Sequence, residues 1–433
     1  MRDPVAPLIV ASVIFLGAIL LILTERMDRA IVSFFGAVVM VAAGLLLGFY
    51  DEELALASID FETLGLLLGM MILVALLRPT GFLQYLATLA AARSRGNPVL
   101  LVVLLSLVTT VTSMFLDNVT TVVLIAPITI LVCEILGLTP VPLLMAEALL
   151  SDTGGVATLI GDPPNVLIAS AAGLSFNDFL THALPVVVVA WTAALLLLLR
   201  LFRPELARRP SDLEALRKLR PADALHDRRT AVRVVVVLGA AIALFFLQDA
   251  LGLSSSFIAL SAAAVALAWI RPPIETTLET IEWRVLVFFG GLFVMVGGLG
   301  AAGVLDVIGG VMARLTSAQP VVATLAVMWF VGLLSALVDN VPVTVAMIPI
   351  IREIGLAGAA VTPLWWALAF GAGFGGNGTI IGSTANVVVA DASRRTREPI
   401  TSAIWNRRGL PVMLVTLVIA SLALVLFFPH FQN

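Results

Sequence analysis

Charge is what this sequence has least of. Of its 433 residues only 12% are Asp, Glu, Lys or Arg, 60% are hydrophobic, and the mean hydropathy is +1.10. A soluble fold of this size needs far more charge to cover its surface, so the chain reads as a polytopic membrane protein. With one cysteine, Cys133, no framework of intrachain disulfides is available. Three histidines, His182, His226 and His430, are too scattered to suggest a metal site. Met1–Val5 lacks the basic region, short apolar core and small-residue cleavage site of a secretory signal, and none is expected. Neither HExxH nor GxSxG occurs. Tyr50-Asp51 and Gly161-Asp162 do not make an intramembrane aspartyl protease, because Leu159 stands where that motif needs glycine and Asp51 lies in an acidic loop, YDEE. No enzyme is expected.

What is present is apolar sequence in long runs. Stretches able to cross about 30 Å of hydrocarbon lie near 4–23, 29–49, 61–77, 142–172 and 180–202, then near 232–248, 254–271, 283–300, 362–390 and 409–428. Between the third and fourth span of each series sits a longer apolar block, 98–136 and 320–354, with a polar turn in its middle, DNVTT (117–121) and DNVPV (339–343). The one long polar segment, around 203–233, reads as a linker.

The two series are repeats. Asp117-Asn118 and Asp339-Asn340 stand 222 residues apart, as do Ile59-Asp60 and Ile281-Glu282, Gly69 and Gly291, and Gly81 and Gly303. Downstream, GGVATLIGDPPNVLIAS aligns with GGNGTIIGSTANVVVAD at 221, pairing Gly154 with Gly375, Gly161 with Gly382 and Asn165 with Asn386. An internal duplication follows: a first repeat over 1–203, a cytoplasmic basic linker over 204–231 and a second repeat over 232–433. Five spans per repeat, an odd number, turn the second repeat upside down relative to the first. With the linker cytoplasmic, the only basic residues of the 25 outside the cytoplasmic segments are Arg2, Arg314 and Arg352, and the positive-inside rule fixes that orientation. The expected fold is an all-α polytopic membrane protein of two inverted-topology repeats. Each has about five transmembrane spans, one re-entrant hairpin and one broken helix, and both termini lie outside the cell membrane.

The breaks carry the functional expectation. Pro163 and Pro164 remove two backbone donors and Gly161 leaves helical geometry cheaply, so the helix should fail at 161–165. In lipid such backbone survives only when buried in protein or lining a polar cavity. A second break is expected at GSTAN, 382–386. The Asp-Asn turns read as tips of re-entrant hairpins that share the cavity, with Thr120, Thr121 and Thr344 adding hydroxyl oxygens. Asn, Thr and exposed carbonyls suit a small cation. Asp117, Asp162 and Asp339, with Glu147 and Asp152 on the helix leading to the first break, are the proton-coupling candidates. Each feature also has a plainer explanation. The tip aspartates would cap the helices that follow them, and the break would be a kink without ligand contact. Glu147 and Asp152 would pair with neighbouring helices, and Cys133 would only pack.

These residues resemble a known family. SMFLDNVTTVVLIAPITILVCEILGL with GGVATLIGDPPNVLIAS, and SALVDNVPVTVAMIPII with GGNGTIIGSTANVVVAD, resemble the ArsB/NhaD branch of the ion transporter superfamily, which has a citrate-transporter-like domain. Within the branch they look most like the melanosomal P protein and its bacterial relatives. The resemblance covers nearly the whole chain. It implies a homodimer working by an elevator-like movement, with ion and substrate sites at hairpin tips and helix breaks. Carried over, these are Asp117, Asn118, Thr120, Gly161, Asp162 and Asn165, and Asp339, Asn340, Thr344, Gly382, Ser383 and Asn386. No cofactor is expected beyond sodium or protons as coupling ions. The expected partners are membrane lipid and a small inorganic ion or oxyanion, with no nucleic acid. Three activities are consistent with the family: sodium or lithium/proton antiport, proton-coupled efflux of arsenite, antimonite or another oxyanion, and sodium-coupled di- or tricarboxylate transport. With no Lys or Arg expected in the site, the aspartates favour cation/proton antiport over oxyanion efflux, and both over carboxylate import.

Overall fold

Among the described residues, nine helices of the first half recur in the same order in the second. In the computed structural model the described residues are 5–23, 27–208, 210, 214, 216 and 219–432. Arg2, Arg26, Arg209, Arg217 and Lys218, which entered the orientation argument, lie outside them. The first series runs α1 (Val5–Leu23), α2 (Arg29–Leu47), α3 (Phe61–Leu77), α4 (Phe82–Ser94), α5 (Pro98–Ser113), α6 (Asn118–Leu136), α7 (Val141–Gly155), α8 (Pro163–Ala172) and α9 (Leu184–Leu201). The second runs α10 (Arg228–Leu251), α11 (Ser255–Ile270), α12 (Trp283–Ala301), α13 (Val304–Ala318), α14 (Pro320–Leu337), α15 (Asn340–Leu356), α16 (Thr362–Gly375), α17 (Thr384–Ser393) and α18 (Ser402–Leu426). Shorter helices between them, such as Glu52–Ala57 and Ile274–Thr280, are left unnumbered. Among the described residues nine helices have the length and apolarity to cross a membrane. Their outer faces expose large apolar side chains such as Phe35, Leu46, Leu337 and Leu426.

The halves interlock symmetrically. α2 packs along α12, and α11 along α3, so each half's second helix lies on the other half's third. Two glycines allow the approach. A β-carbon on Gly291 would stand 2.6 Å from the carbonyl carbon of Ser33, and one on Gly69 would stand 2.5 Å from that of Ala259. Small residues at such crossings let backbones meet where lipid supplies no hydrophobic drive. Within each half the hairpin's first arm packs on the first half-helix, α5 on α7 and α14 on α16. Between halves, α8 packs on α15 and α17 on α6, so each second half-helix meets the other half's hairpin.

The sequence reading needs two corrections here. The first break lies earlier than 161–165: helix stops at Gly155, irregular backbone covers 156–162, and helix resumes at Pro163. Pro163 and Pro164 occupy the first turn of α8, where a missing N–H costs nothing and the fixed φ suits a helix start. The prolines therefore start the second half-helix, and the interruption belongs to the backbone before them. The second break likewise precedes its expected place, with α16 ending at Gly375 and α17 starting at Thr384. Segments 82–94 and 304–318, which the hydropathy reading left unassigned, are helices α4 and α13 packed against the hairpins.

Gly291→Val should lower the thermal unfolding transition of the detergent-solubilised protein, by the about 1–3 kcal/mol of an overpacked core. Gly239, with nothing within 4 Å of its β-carbon, is the control, and Gly239→Val should leave the transition where it is or raise it.

Candidate functional site

Four helix N-termini meet at one cavity of about 110 Å³. Its wall includes Asp117, Asp162, Asp339 and Ser383, the residues that stand immediately before α6, α8, α15 and α17. Each N-terminus brings unpaired N–H groups and a positive partial charge, which is where a carboxylate is least costly in apolar surroundings. At the first tip Asp117 Oδ1 accepts from the Val119 N–H at 3.0 Å and Oδ2 from that of Thr120 at 2.8 Å. At the second, Asp339 Oδ1 accepts from the Val341 N–H at 3.1 Å. The capping explanation is thus realised at both tips, and it coexists with placement of the same carboxylates on a cavity.

The neighbouring asparagines bind across the molecule. Asn340 Nδ2 donates to Asp162 Oδ2 at 2.9 Å, joining the second hairpin to the first break. Asn118 Nδ2 donates to Asp152 Oδ1 at 2.8 Å, and Ser383 of the second break stands beside the same carboxylate. Asp152, Asp117 and Asp339 are all close enough to repel a charge on Asp162. Two buried aspartates, Asp152 and Asp162, thus lie close to two partly buried ones, Asp117 and Asp339, where a proton or cation would reduce their repulsion.

Asn165 and Asn386 do a different job. Asn165 Nδ2 donates to the carbonyls of Gly155 at 3.1 Å and Thr158 at 2.8 Å. Asn386 Nδ2 does the same to Gly376 at 2.9 Å and Thr379 at 3.0 Å. Each amide, from the first turn of a second half-helix, satisfies carbonyls freed where the first half-helix ends. Gly161 and Gly382 close the same loops, since a β-carbon on either would meet the facing glycine's oxygen, Gly155 or Gly376, at 2.5 Å. Thr344 Oγ1 donates to the Asn340 carbonyl of its own helix. These five residues and Thr121 hold or adjoin the breaks and tips without lining the cavity. Glu147 is fully buried and takes the Thr129 hydroxyl at 2.5 Å, also away from the cavity wall.

One expectation fails. The cavity is not free of basic residues: Arg29 and Arg78 both line it, with Glu282. Arg29 Nη1 stands 3.1 Å from Asp339 Oδ2, which also accepts from the Thr384 hydroxyl at 2.8 Å. The guanidinium lies 5.5 Å from the Phe288 ring centre. Each arginine sits at an end of an apolar run, and position in the sequence alone puts both in cytoplasmic segments. What it missed is that helix pairs from the other half bring a hairpin tip to that depth. A signal existed in Arg29, a cation in the first turn of a helix, where the macrodipole disfavours it unless an anion is near.

A family model described as citrate transporter, CitMHS, matches residues 19–371. The chain belongs to that family. An uncharacterized transporter of Mycobacterium tuberculosis is 39% identical over 422 residues, which is 96% of this chain and 98% of that protein. An uncharacterized transporter of Synechocystis is 31% identical over 432 residues, 94% and 95% of the two chains. The human P protein is 32% identical over 489 residues, 94% of this chain and 58% of its own length. Among solved structures, the YdaH transporter of Alcanivorax borkumensis superposes with a TM-score of 0.63 at 16% identity, covering 94% of this chain and all of that one. That likeness is one of fold, polytopic and helical, in keeping with the helices described above. This member of the CitMHS family is a multi-pass membrane transporter.

Asn165→Ala and Asn386→Ala should each unpair two buried carbonyls, at about 1–3 kcal/mol. Each variant should therefore unfold at lower temperature in detergent. Equal stability to the parent would show that water already serves those carbonyls.

Proposed function

We propose that this transporter is a secondary active carrier that works by alternating access and exchanges a small cation, sodium or lithium, for protons. The observation that carries the proposal is the convergence of Asp117, Asp162 and Asp339, each preceding a helix, on one cavity between inverted repeats, with Asp152 immediately behind. A carboxylate there holds either a proton or a cation, and exchange between the two is antiport. Side-chain oxygens of Thr121, Ser151, Asn377 and Asn386 are buried without a hydrogen-bond partner among the described residues. Such oxygens suit an ion at the tips and breaks. Orientation belongs to the same proposal: termini outside, linker cytoplasmic, and therefore the cavity end at Arg29, Arg78 and Glu282 facing the cytoplasm. Membership of the ArsB/NhaD branch and a homodimeric assembly are likewise proposed on resemblance.

A second reading gains from Arg29 and Arg78. Two guanidinium groups and four helix N-termini suit an anion, and they compensate the acidic tips that count against carboxylate import. In this reading a carboxylate, as the family model's description suggests, or an oxyanion sits against the arginines, while the aspartates carry the coupling cation or proton.

The experiment is a pH-gradient assay in proteoliposomes with sodium, lithium, potassium, arsenite, succinate or citrate added in turn. Sodium or lithium should drive protons the opposite way. Asp117→Asn and Asp339→Asn should abolish that response while inserting normally into the membrane. Silence with cations and a response to citrate, succinate or arsenite would select the second reading. A normal response in both variants would overturn the site.

A further inference from the structure

Arg29 has no charged counterpart in the other half, and the repeat symmetry shows where the counterpart would stand. Arg29 is the first residue of α2 after its cap Asp28, and Ser255 is the first residue of α11 after its cap Ser254. The two positions are 226 apart, the same interval as Ser33 and Ala259, which make the equivalent contacts with Gly291 and Gly69. Ser255 is therefore the structural mate of Arg29, although the sequence repeat elsewhere runs at 222. The mismatch hides the pair from a sequence alignment.

Ser255 lines a second cavity of about 180 Å³, with Glu62, Thr63, Gln248, Asp249 and Ser254. That cavity lies at the opposite end of α3 from Arg78 and shares only Leu66 and Val166 with the first. Both cavities touch those two side chains. In this structure the carboxylates open to the Arg29 side. Inverted repeats exchange roles between their two states, so in the opposite state the Asp117 tip approaches Ser255 while the Asp339 tip leaves Arg29.

We propose that Arg29 is a tethered counter-cation that holds the unloaded carrier in this state by pairing with Asp339. The inference rests on the alternating-access reading above. The pair joins the two bodies that must separate: Arg29 is on α2, packed along α12, and Asp339 is on the hairpin tip packed against α8. Arg29 is fixed at its root, because Asp28 caps the Ala30 N–H at 2.9 Å and also pairs with Arg284. Its guanidinium rests on Phe288. A proton or free cation arriving on Asp339 competes with the guanidinium, so loading releases the tip. Ser255 offers no charge on the other side, so the restraint acts in one direction. An empty carrier is kept from cycling and dissipating the gradient, and Arg29 acts as a positioning residue for the coupling step.

The test uses labelling of two introduced cysteines by a maleimide, in a Cys133→Ala background in detergent. Ala169→Cys places a thiol in the wall of the Ser255 cavity, where Ala169 is 4% exposed. Thr280→Cys places one at the Arg29 cavity. Arg29→Gln should speed labelling at position 169 about fivefold, the upper range for a half-exposed ion pair, and slow it at 280. Asp339→Asn should do the same, the double variant should add nothing, and Arg29→Lys should restore the parent rates. Should Arg29→Gln fail to insert, Asp339→Asn and Arg29→Lys carry the comparison. If both rates respond to sodium or pH in the parent but not to Arg29→Gln or Asp339→Asn, the role of Arg29 is overturned. Rates that respond to no ion and no substitution would overturn alternating access itself, and the proposal with it.

Discussion

Interrupted helices in apolar surroundings leave carbonyl and amide groups that water does not reach, and the rest of this molecule follows from how those groups are satisfied. Asn165 and Asn386 bracket the carbonyl ends of the first half-helices. The amide ends of the second half-helices are left to face a cavity, where Asp162 and Ser383 stand at their starts. An unpaired buried backbone group costs about as much as a lost hydrogen bond, so the breaks persist only because the amides and the cavity are both there. A polar-walled cavity is what remains when the satisfied half of each break is set aside.

The backbone is nearly two-fold symmetric but its charge is not. Asp162 corresponds to Ser383, and Asp152 and Glu147 have Gly373 and Leu368 at the 221-residue interval. Among the described residues, the fully buried acids, Glu147, Asp152 and Asp162, therefore sit in the first half. The arginine at the cavity mouth, Arg29, also comes from the first half, with Ser255 opposite it. A symmetric frame lets one cavity be rebuilt facing the other way. The repeated frame therefore carries its acids and its cavity arginines unequally.

Much of this was legible in the sequence, because the signals are local. The Asp-Asn tips, the two breaks and the inverted duplication were written in short motifs at fixed intervals, and all appear as elements of the fold. The exact break was misread for a local reason: proline both ends helices and starts them, and only the preceding backbone of 156–162 decides between the two. α4 and α13 escaped because at 13 and 15 residues, with a charged side chain in each, they match neither a span nor a loop. Arg29 and Arg78 escaped for a different reason. Their partners come from the other half, more than 200 residues away, through crossings such as Gly291 on Ser33, and no periodicity along the chain encodes that contact. The Arg29–Ser255 equivalence is out of step with the sequence interval because the start of α2 lies 32 residues before that of α3 (61 − 29), and the start of α11 only 28 before that of α12 (283 − 255).

The central claim is that the hairpins and broken helices move as a body against the α2–α12 and α3–α11 pairs. Spin labels at Leu46 on α2 and Leu356 at the end of α15, both strongly exposed at 84% and 80%, report that movement as a distance. The account predicts two distance populations in lipid nanodiscs, whose ratio changes with sodium and pH. A single distance, unchanged by sodium, lithium, citrate or pH, would contradict it.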